Sequence, residues 1–395
     1  MLNENMKALG AKRSVIRELF EYGKKRKAEI GSENVFDFSL GNPSVASPKL
    51  VQKALLDLIE STDPVKLHGY TSAQGDAQVR SSIADYLNKT YNANVSFDCI
   101  YLTSGAAASL TISLTAILNK GDEVILLAPY FPEYKVFVER TGAKIVPVLC
   151  HTPSFQPDIE AISSSISEKT RAIIINSPNN PTGAVITEDN IVRLSKVLSD
   201  ASKKYGQPIY LISDEPYREL VYGDARVPYL TNYYDNTIVC YSFSKSVSLP
   251  GERIGYVLVS PKAENFEDLY HAVCGAGRAL GFVCATSLFQ YLIPSVLGKT
   301  SDISVYDTNR KLLYNALTAA GFEVVYPDGA FYLFVKAPQN DSTAFCERAK
   351  QYELLLVPAD DFGCPGYVRI AYCVTTKQIE RSLPAFEALA KSYSE

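Results

Sequence analysis

Between about residues 50 and 285 the sequence alternates short, nearly unbroken apolar runs with longer amphipathic stretches, and that alternation constrains the fold most. The apolar runs Val124–Ala128, Ile145–Leu149, Ala172–Asn176, Ile209–Ser213, Thr237–Tyr241 and Tyr256–Ser260 are strand-length, and helical patterns such as Glu188–Tyr205 lie between several of them. A strand that is apolar on both faces belongs to a sheet covered on both sides, so a largely parallel α/β sheet is expected. A chain of 395 residues is too long for one ordinary core. The expected division is a large domain over 46–290, a smaller α+β domain over 291–395, and an N-terminal segment over 1–45 that packs with the smaller one. That segment carries apolar positions at helical spacing over 4–30 (Val15, Ile16, Leu19, Phe20). The smaller domain reads as a helix over 303–320, a strand around Phe331–Val335, a helix over 341–352 and a last helix after Thr375.

Composition narrows the function classes. Hydrophobic residues make up 47% and charged residues 21%, as in soluble globular proteins, and the net charge of −4 gives no electrostatic footprint for nucleic acid or anionic membrane. An anionic ligand must therefore be held by a local site. Eight scattered cysteines without a Cys-x-x-Cys pair, and only three histidines, argue against a metal cluster. No run approaches membrane-spanning length and the first residues lack a signal peptide's apolar core, so a reduced, cytoplasmic protein is expected. Gly275-Ala276-Gly277 lacks the third glycine of a dinucleotide loop, and Ile293 stands where a phosphate loop ending in Gly298-Lys299-Thr300 needs its leading glycine.

In open parallel sheets, ligands sit beyond the carboxyl ends of the strands. Here those ends are polar. Ala172–Asn176 runs into Ser177-Pro178-Asn179-Asn180-Pro181-Thr182-Gly183, Ile209–Ser213 into Asp214-Glu215-Pro216-Tyr217, and Thr237–Tyr241 into Ser242-Phe243-Ser244-Lys245. An amide, a carboxylate, a phenol, hydroxyls and a lysine should converge on one edge of the sheet.

Ser242-x-Ser244-Lys245, Arg253-x-Gly255, the upstream Asn-Asn-Pro-Thr-Gly and the intervening Asp214-x-x-Tyr217 resemble the signature of the fold-type-I, class I/II aminotransferases, the aspartate aminotransferase family. The likeness runs from Gly41 to Arg369 in the family's order. It implies a pyridoxal 5'-phosphate enzyme with Lys245 forming the Schiff base and then moving a proton at the substrate α-carbon. It implies that Asp214 pairs with the cofactor's ring nitrogen and that Asn180 and Tyr217 hydrogen-bond its phenolate oxygen. Gly105, Ala106 and Ala107, before a helical run, resemble the phosphate-binding turn, joined by Ser242, Ser244 and Arg253. Phe131 falls where the family stacks an aromatic ring on the cofactor, and Tyr70 matches a tyrosine that reaches the neighbouring subunit's phosphate, which implies a homodimer.

For substrate the resemblance implies a bidentate grip by Arg369 on the amino acid's α-carboxylate, with Gly41 contributing backbone and Asn180 nearby. Arg278 lies in the stretch where dicarboxylate-specific relatives place a second arginine, although its flanks do not match theirs; packing or surface exposure is its competing reading. Amino-group transfer from an L-amino acid to a 2-oxo acid is the expected reaction. A carbon–sulfur β-lyase and a non-catalytic cofactor-binding module remain as alternatives, the first disfavoured by residues 179–183 and the second by the lack of room for a DNA-binding domain in residues 1–40.

Overall fold

A computed structural model describes residues 2–11 and 15–393. In chain order its strands are β1 (Phe36–Asp37), β2 (Ile100–Thr103), β3 (Glu123–Ala128), β4 (Lys144–Leu149), β5 (Thr170–Asn176), β6 (Tyr210–Asp214) and β7 (Thr237–Ser242). There follow β8 (Gly255–Val259), β9 (Val324–Val325), β10 (Tyr332–Lys336), β11 (Leu354–Leu355), β12 (Val357–Pro358) and β13 (Tyr367–Ala371). The chain divides into two compact units, one of Met1–Ser44, Ser304–Pro327 and Phe331–Glu395, the other of Val45–Ile303 and Asp328–Ala330.

The larger unit is built on a seven-stranded sheet of order β2-β8-β7-β6-β5-β3-β4. The pairs β7/β6, β6/β5, β5/β3 and β3/β4 are parallel. Side chains of a strand alternate between faces, and here both faces are buried. Val124, Leu126, Ala172 and Ile174 enter one core, whereas Ile125, Leu127, Ile173 and Ile175 enter another. That double burial is the reason these strands read as continuous apolar runs. Helix Glu188–Tyr205 shows how the layers close: Thr187 caps it, Glu188 and Asp189 open it, Lys203 and Lys204 end it, and Gly206 leaves it in the left-handed region at φ 66°. Its buried Ile191, Leu194, Ser195 and Leu198 form one helical face.

Two features depart from the sequence reading. β2 is an additional strand, and β8 runs antiparallel to both β2 and β7. A parallel return needs a crossover of a dozen or more residues, usually with a helix. Between Ser242 and Gly255 the chain has only the short helix Phe243–Ser246 and the 3-10 turn Pro250–Glu252, so the next strand returns antiparallel. Residues 291–303, expected in the smaller domain, cluster with the larger unit because helix Ser287–Val296 packs on helices Lys49–Ser61, Pro64–His68 and Ala77–Tyr91.

The smaller unit contains the antiparallel sheet β12-β13-β10-β9 and the parallel pair β1-β11, with helices Ile303–Ala319, Ser342–Lys350 and Thr376–Lys391. Of the expected 4–30 helix, Glu4–Ala11 and Val15–Ile30 are helical, and residues 12–14 lie outside the described residues. Among the described residues no helix is long and apolar enough to cross a membrane.

Candidate active site

The parallel register brings the polar strand ends of the larger unit level with one another. Asn176 pairs across with Asp214, and Asp214 with Cys240. Asp214 is 5% exposed, and its two oxygens have different surroundings. Oδ2 accepts from the Tyr134 hydroxyl at 2.5 Å and from Asn176 Nδ2 at 3.5 Å. Oδ1 is buried with no hydrogen-bond partner. Burial pushes the Asp214 carboxyl up to about 7, against the lowering effect of the Tyr134 hydrogen bond, with Glu215 adding like-charge repulsion. A buried carboxylate with an unmet acceptor calls for a cationic donor at Oδ1, and a protonated ring nitrogen is one.

Asn180 and Tyr217 are both buried, and Asn180 joins the Asp214 network through its backbone N–H. The Asn180 amide donates to Asn176 Oδ1 at 2.7 Å, while Asn176 Nδ2 donates to the Asp214 carbonyl at 2.9 Å. The Asn-Asn-Pro-Thr-Gly turn is fixed by its own groups: the Thr182 amide and hydroxyl both donate to Asn179 Oδ1, at 3.1 and 2.9 Å, and the Gly183 amide donates to the Asn179 carbonyl at 2.9 Å. Phe131 lies edge-on to Tyr134, with ring centroids 5.7 Å apart.

At the adjacent strands the register sets Gly255 opposite both Thr103 and Ser242. The Ser242 hydroxyl caps the helix Phe243–Ser246 by accepting from the Ser244 amide at 3.1 Å and lies 2.6 Å from Ser244 Oγ. Lys245, half-buried, is therefore on a turn clamped at its start. Gly105, at φ +84°, precedes helix Ala106–Ile117. A Cβ on Gly105 would sit 2.9 Å from Arg253 Nη2, and one on Gly255 would sit 3.1 Å from the Gly105 Cα. The start of that helix, the Gly255 backbone and the Arg253 guanidinium thus lie close around a space that even a methyl group would crowd, with Ser242 opposite Gly255 in the register. Unpaired amides at a helix start with an arginine beside them make an anion cradle. A cradle for a dianion in the same sheet edge as a carboxylate lacking a cation, with a lysine between them in sequence, fits a phosphorylated pyridine aldehyde.

The other expected residues have the following surroundings. Tyr70 is 99% exposed. Its loop is held from below: the Arg80 guanidinium donates to the Gly75 carbonyl at 3.2 Å, Gln290 Nε2 to Thr71 Oγ1 at 3.1 Å, and the Cys284 thiol to the Thr71 carbonyl at 3.3 Å. Arg278 is exposed in the last turn of helix Phe266–Ala279. In the smaller unit Arg369 is 2% exposed on β13, between β10 and β12. Its Nη2 donates to the Ser39 carbonyl at 2.6 Å, and its guanidinium lies 4.8 Å from the Tyr332 ring centroid and 5.1 Å from that of Phe362. Gly41 lies against Tyr332, so closely that a Cβ would overlap the phenol hydroxyl.

Sequence reasoning missed Tyr134 and the second-layer part of Asn176. Asn176 could have been suspected as a polar residue ending an apolar strand. Tyr134 carried no signal among 26 tyrosines.

The family model "Aminotransferase class I and II" matches residues 33–386. A probable aspartate aminotransferase of Methanocaldococcus jannaschii is 30% identical, covering 94% of this chain and 96% of that protein. A (5-formylfuran-3-yl)methyl phosphate transaminase of the same organism is also 30% identical, covering 91% and 92%. The crystal structure of an aminotransferase from Eubacterium rectale is 55% identical and superposes over the whole of both chains with a TM-score of 0.98. With the family's model spanning both units, this chain belongs to the class I and II aminotransferases, enzymes that transfer amino groups.

Proposed function

We propose that the chain carries pyridoxal 5'-phosphate on Lys245 and uses it to move an amino group from an L-amino acid to a 2-oxo acid. The observation that carries this reading is Asp214, a buried carboxyl whose Oδ1 has no partner. Aminotransferases of this family use amino and oxo acid substrates, generally depend on this coenzyme and are generally dimeric. When bound, the coenzyme supplies a protonated pyridine ring that withdraws electrons from the substrate α-carbon.

The protein's residues divide the remaining work. Asp214 keeps the ring nitrogen's proton in place, because ionised Oδ1 gains a charged donor only while that nitrogen is protonated. Tyr134 and Asn176 fix the carboxyl's orientation through Oδ2. The Lys245 amine, when free and neutral, would move a proton between the substrate α-carbon and the coenzyme. Asn180 and Tyr217 hold the phenolate oxygen, and Phe131 covers a ring face. The amides at Gly105, Ala106 and Ala107 with Ser242, Ser244 and Arg253 anchor the phosphate. Arg369 grips the substrate α-carboxylate beside the Gly41 backbone, its plane set by the Tyr332 and Phe362 rings. A second copy of the chain completes the site with Tyr70.

The two Methanocaldococcus relatives carry different substrates in their names at equal identity, so identity at this level does not select the donor. Arg278 is the candidate for a distal carboxylate. The test is a panel of amino acids against 2-oxoglutarate, pyruvate and oxaloacetate. Ping-pong kinetics with at least one pair is expected. Arg278→Ala should cost acidic donors selectively if it is the distal clamp. Pyruvate released from cystathionine without an acceptor would instead favour elimination, and no turnover with any pair would contradict transfer.

A further inference from the structure

We infer that Glu219 is a positioning residue for Lys245, acting through the hydroxyls of Tyr241 and Ser246. The inference rests on the reading that Lys245 carries the coenzyme. Glu219 Oε1 accepts from the Tyr241 hydroxyl at 2.8 Å, and that hydroxyl lies 3.2 Å from Ser246 Oγ. Ser246 is the last residue of the turn Phe243–Ser246, directly after Lys245, and its carbonyl accepts from the Ser301 amide at 2.7 Å. Ser242 clamps the turn at its start, and this chain of hydroxyls clamps its end. Tyr241 cannot swing away, since its ring is stacked on Tyr256 at 4.9 Å and meets Phe243 edge-on at 5.0 Å.

Glu219 Oε2 is buried and has no hydrogen-bond partner among the described residues. A carboxyl left in that state is costly, and packing alone would be better served by an apolar side chain. The groups around it are Arg218, Glu215, Tyr91, Tyr241 and Tyr256. Arg218, the cation among them, is engaged with Glu215 through Nε and Nη2 contacts of 2.5 Å. Burial consequently outweighs the Tyr241 and Arg218 contributions and pushes the Glu219 carboxyl up to about 7. Ionised, Glu219 accepts from Tyr241, which leaves the Tyr241 oxygen open to a proton from Ser246. Protonated, it can donate to Tyr241, whose own proton then turns to Ser246. Ser246 thus exchanges donor for acceptor beside Lys245 as Glu219 titrates.

The test compares the holoenzyme with Glu219→Gln, Tyr241→Phe and the double variant. Coenzyme trapping, kcat and KM are followed from about pH 5.5 to 9, with an infrared titration of protonated carboxyl groups. Each single variant should keep the coenzyme and hold KM within about twofold, lose about tenfold in kcat, and lose the inflection near pH 7. The double variant should be no worse than either single one, because both interrupt one chain. The native protein should show a protonated-carboxyl band that fades through about pH 7 and is absent from Glu219→Gln. Native-like kcat and pH profiles in both variants, multiplying losses in the double variant, or no such band would each overturn the inference. If Glu219→Gln does not fold, Tyr241→Phe and the native infrared titration decide. A native protein that traps no coenzyme on Lys245 refutes the Lys245 reading, whereas normal trapping with unaltered variants refutes only the role of Glu219.

Discussion

Asp214 shows how one side chain's surroundings can state what is to be bound. Its raised pKa has a thermodynamic sign that can be checked. An acid that moves from 3.8 to about 7 on folding binds more protons folded than unfolded across that window. Apoprotein stability is then full below about pH 4 and declines as pH rises toward 7, by on the order of a few kcal/mol. Asp214→Asn should remove a large part of that decline in urea melts run from pH 4 to 8, and an unchanged slope would count against the buried, unpaired state. If, as proposed, bound coenzyme supplies the missing cation, its stabilising effect should grow with pH over the same window. Tyr134 makes the complementary case. Tyr134→Phe keeps the ring beside Phe131 but withdraws the donor to Oδ2. Coenzyme dissociation at pH 8 should rise about tenfold or more, as for a lost hydrogen bond to a charged group; equal dissociation constants would show the contact to be incidental.

At the scale of elements, one edge of the seven-stranded sheet and one helix start make the larger unit's site. Gly105 combines a positive φ with the Arg253 guanidinium across from it. Gly105→Ala should weaken binding of the phosphorylated coenzyme about tenfold or more, through roughly 1–2 kcal/mol of backbone strain and a displaced guanidinium. Binding of phosphate-free pyridoxal should change far less; equal losses for both ligands would place the damage outside the anion cradle. The strands that end at Asp214 and Ser242 were legible because burial on both faces leaves an uninterrupted apolar run with an abrupt polar end. β2 was not, since Ile100–Thr103 is four residues long and leads directly into the small residues before helix Ala106–Ile117. The antiparallel β8 was also hidden, because its direction follows from a connection without a crossover helix and not from the strand's composition. Tyr134 was invisible for a third reason: its partner is 80 residues away and its helix, Glu133–Glu139, has only seven residues.

At the scale of the whole molecule, Tyr70 is nearly fully exposed, and the loop that follows it is held by Arg80, Gln290 and Cys284. If a second copy receives Tyr70, then Tyr70→Ala and Lys245→Ala, each impaired alone, should regain activity when mixed and refolded together, because one site of the hybrid has both residues. No recovery in hybrids shown to have formed would contradict sharing across an interface. The most direct measurement of all concerns Lys245. The purified protein, supplied with pyridoxal 5'-phosphate, is reduced with borohydride, digested and examined by mass spectrometry. The expected result is one coenzyme-modified peptide carrying its label on Lys245, absent from Lys245→Ala. A label on a different lysine, or none in folded protein, would contradict the proposed chemistry.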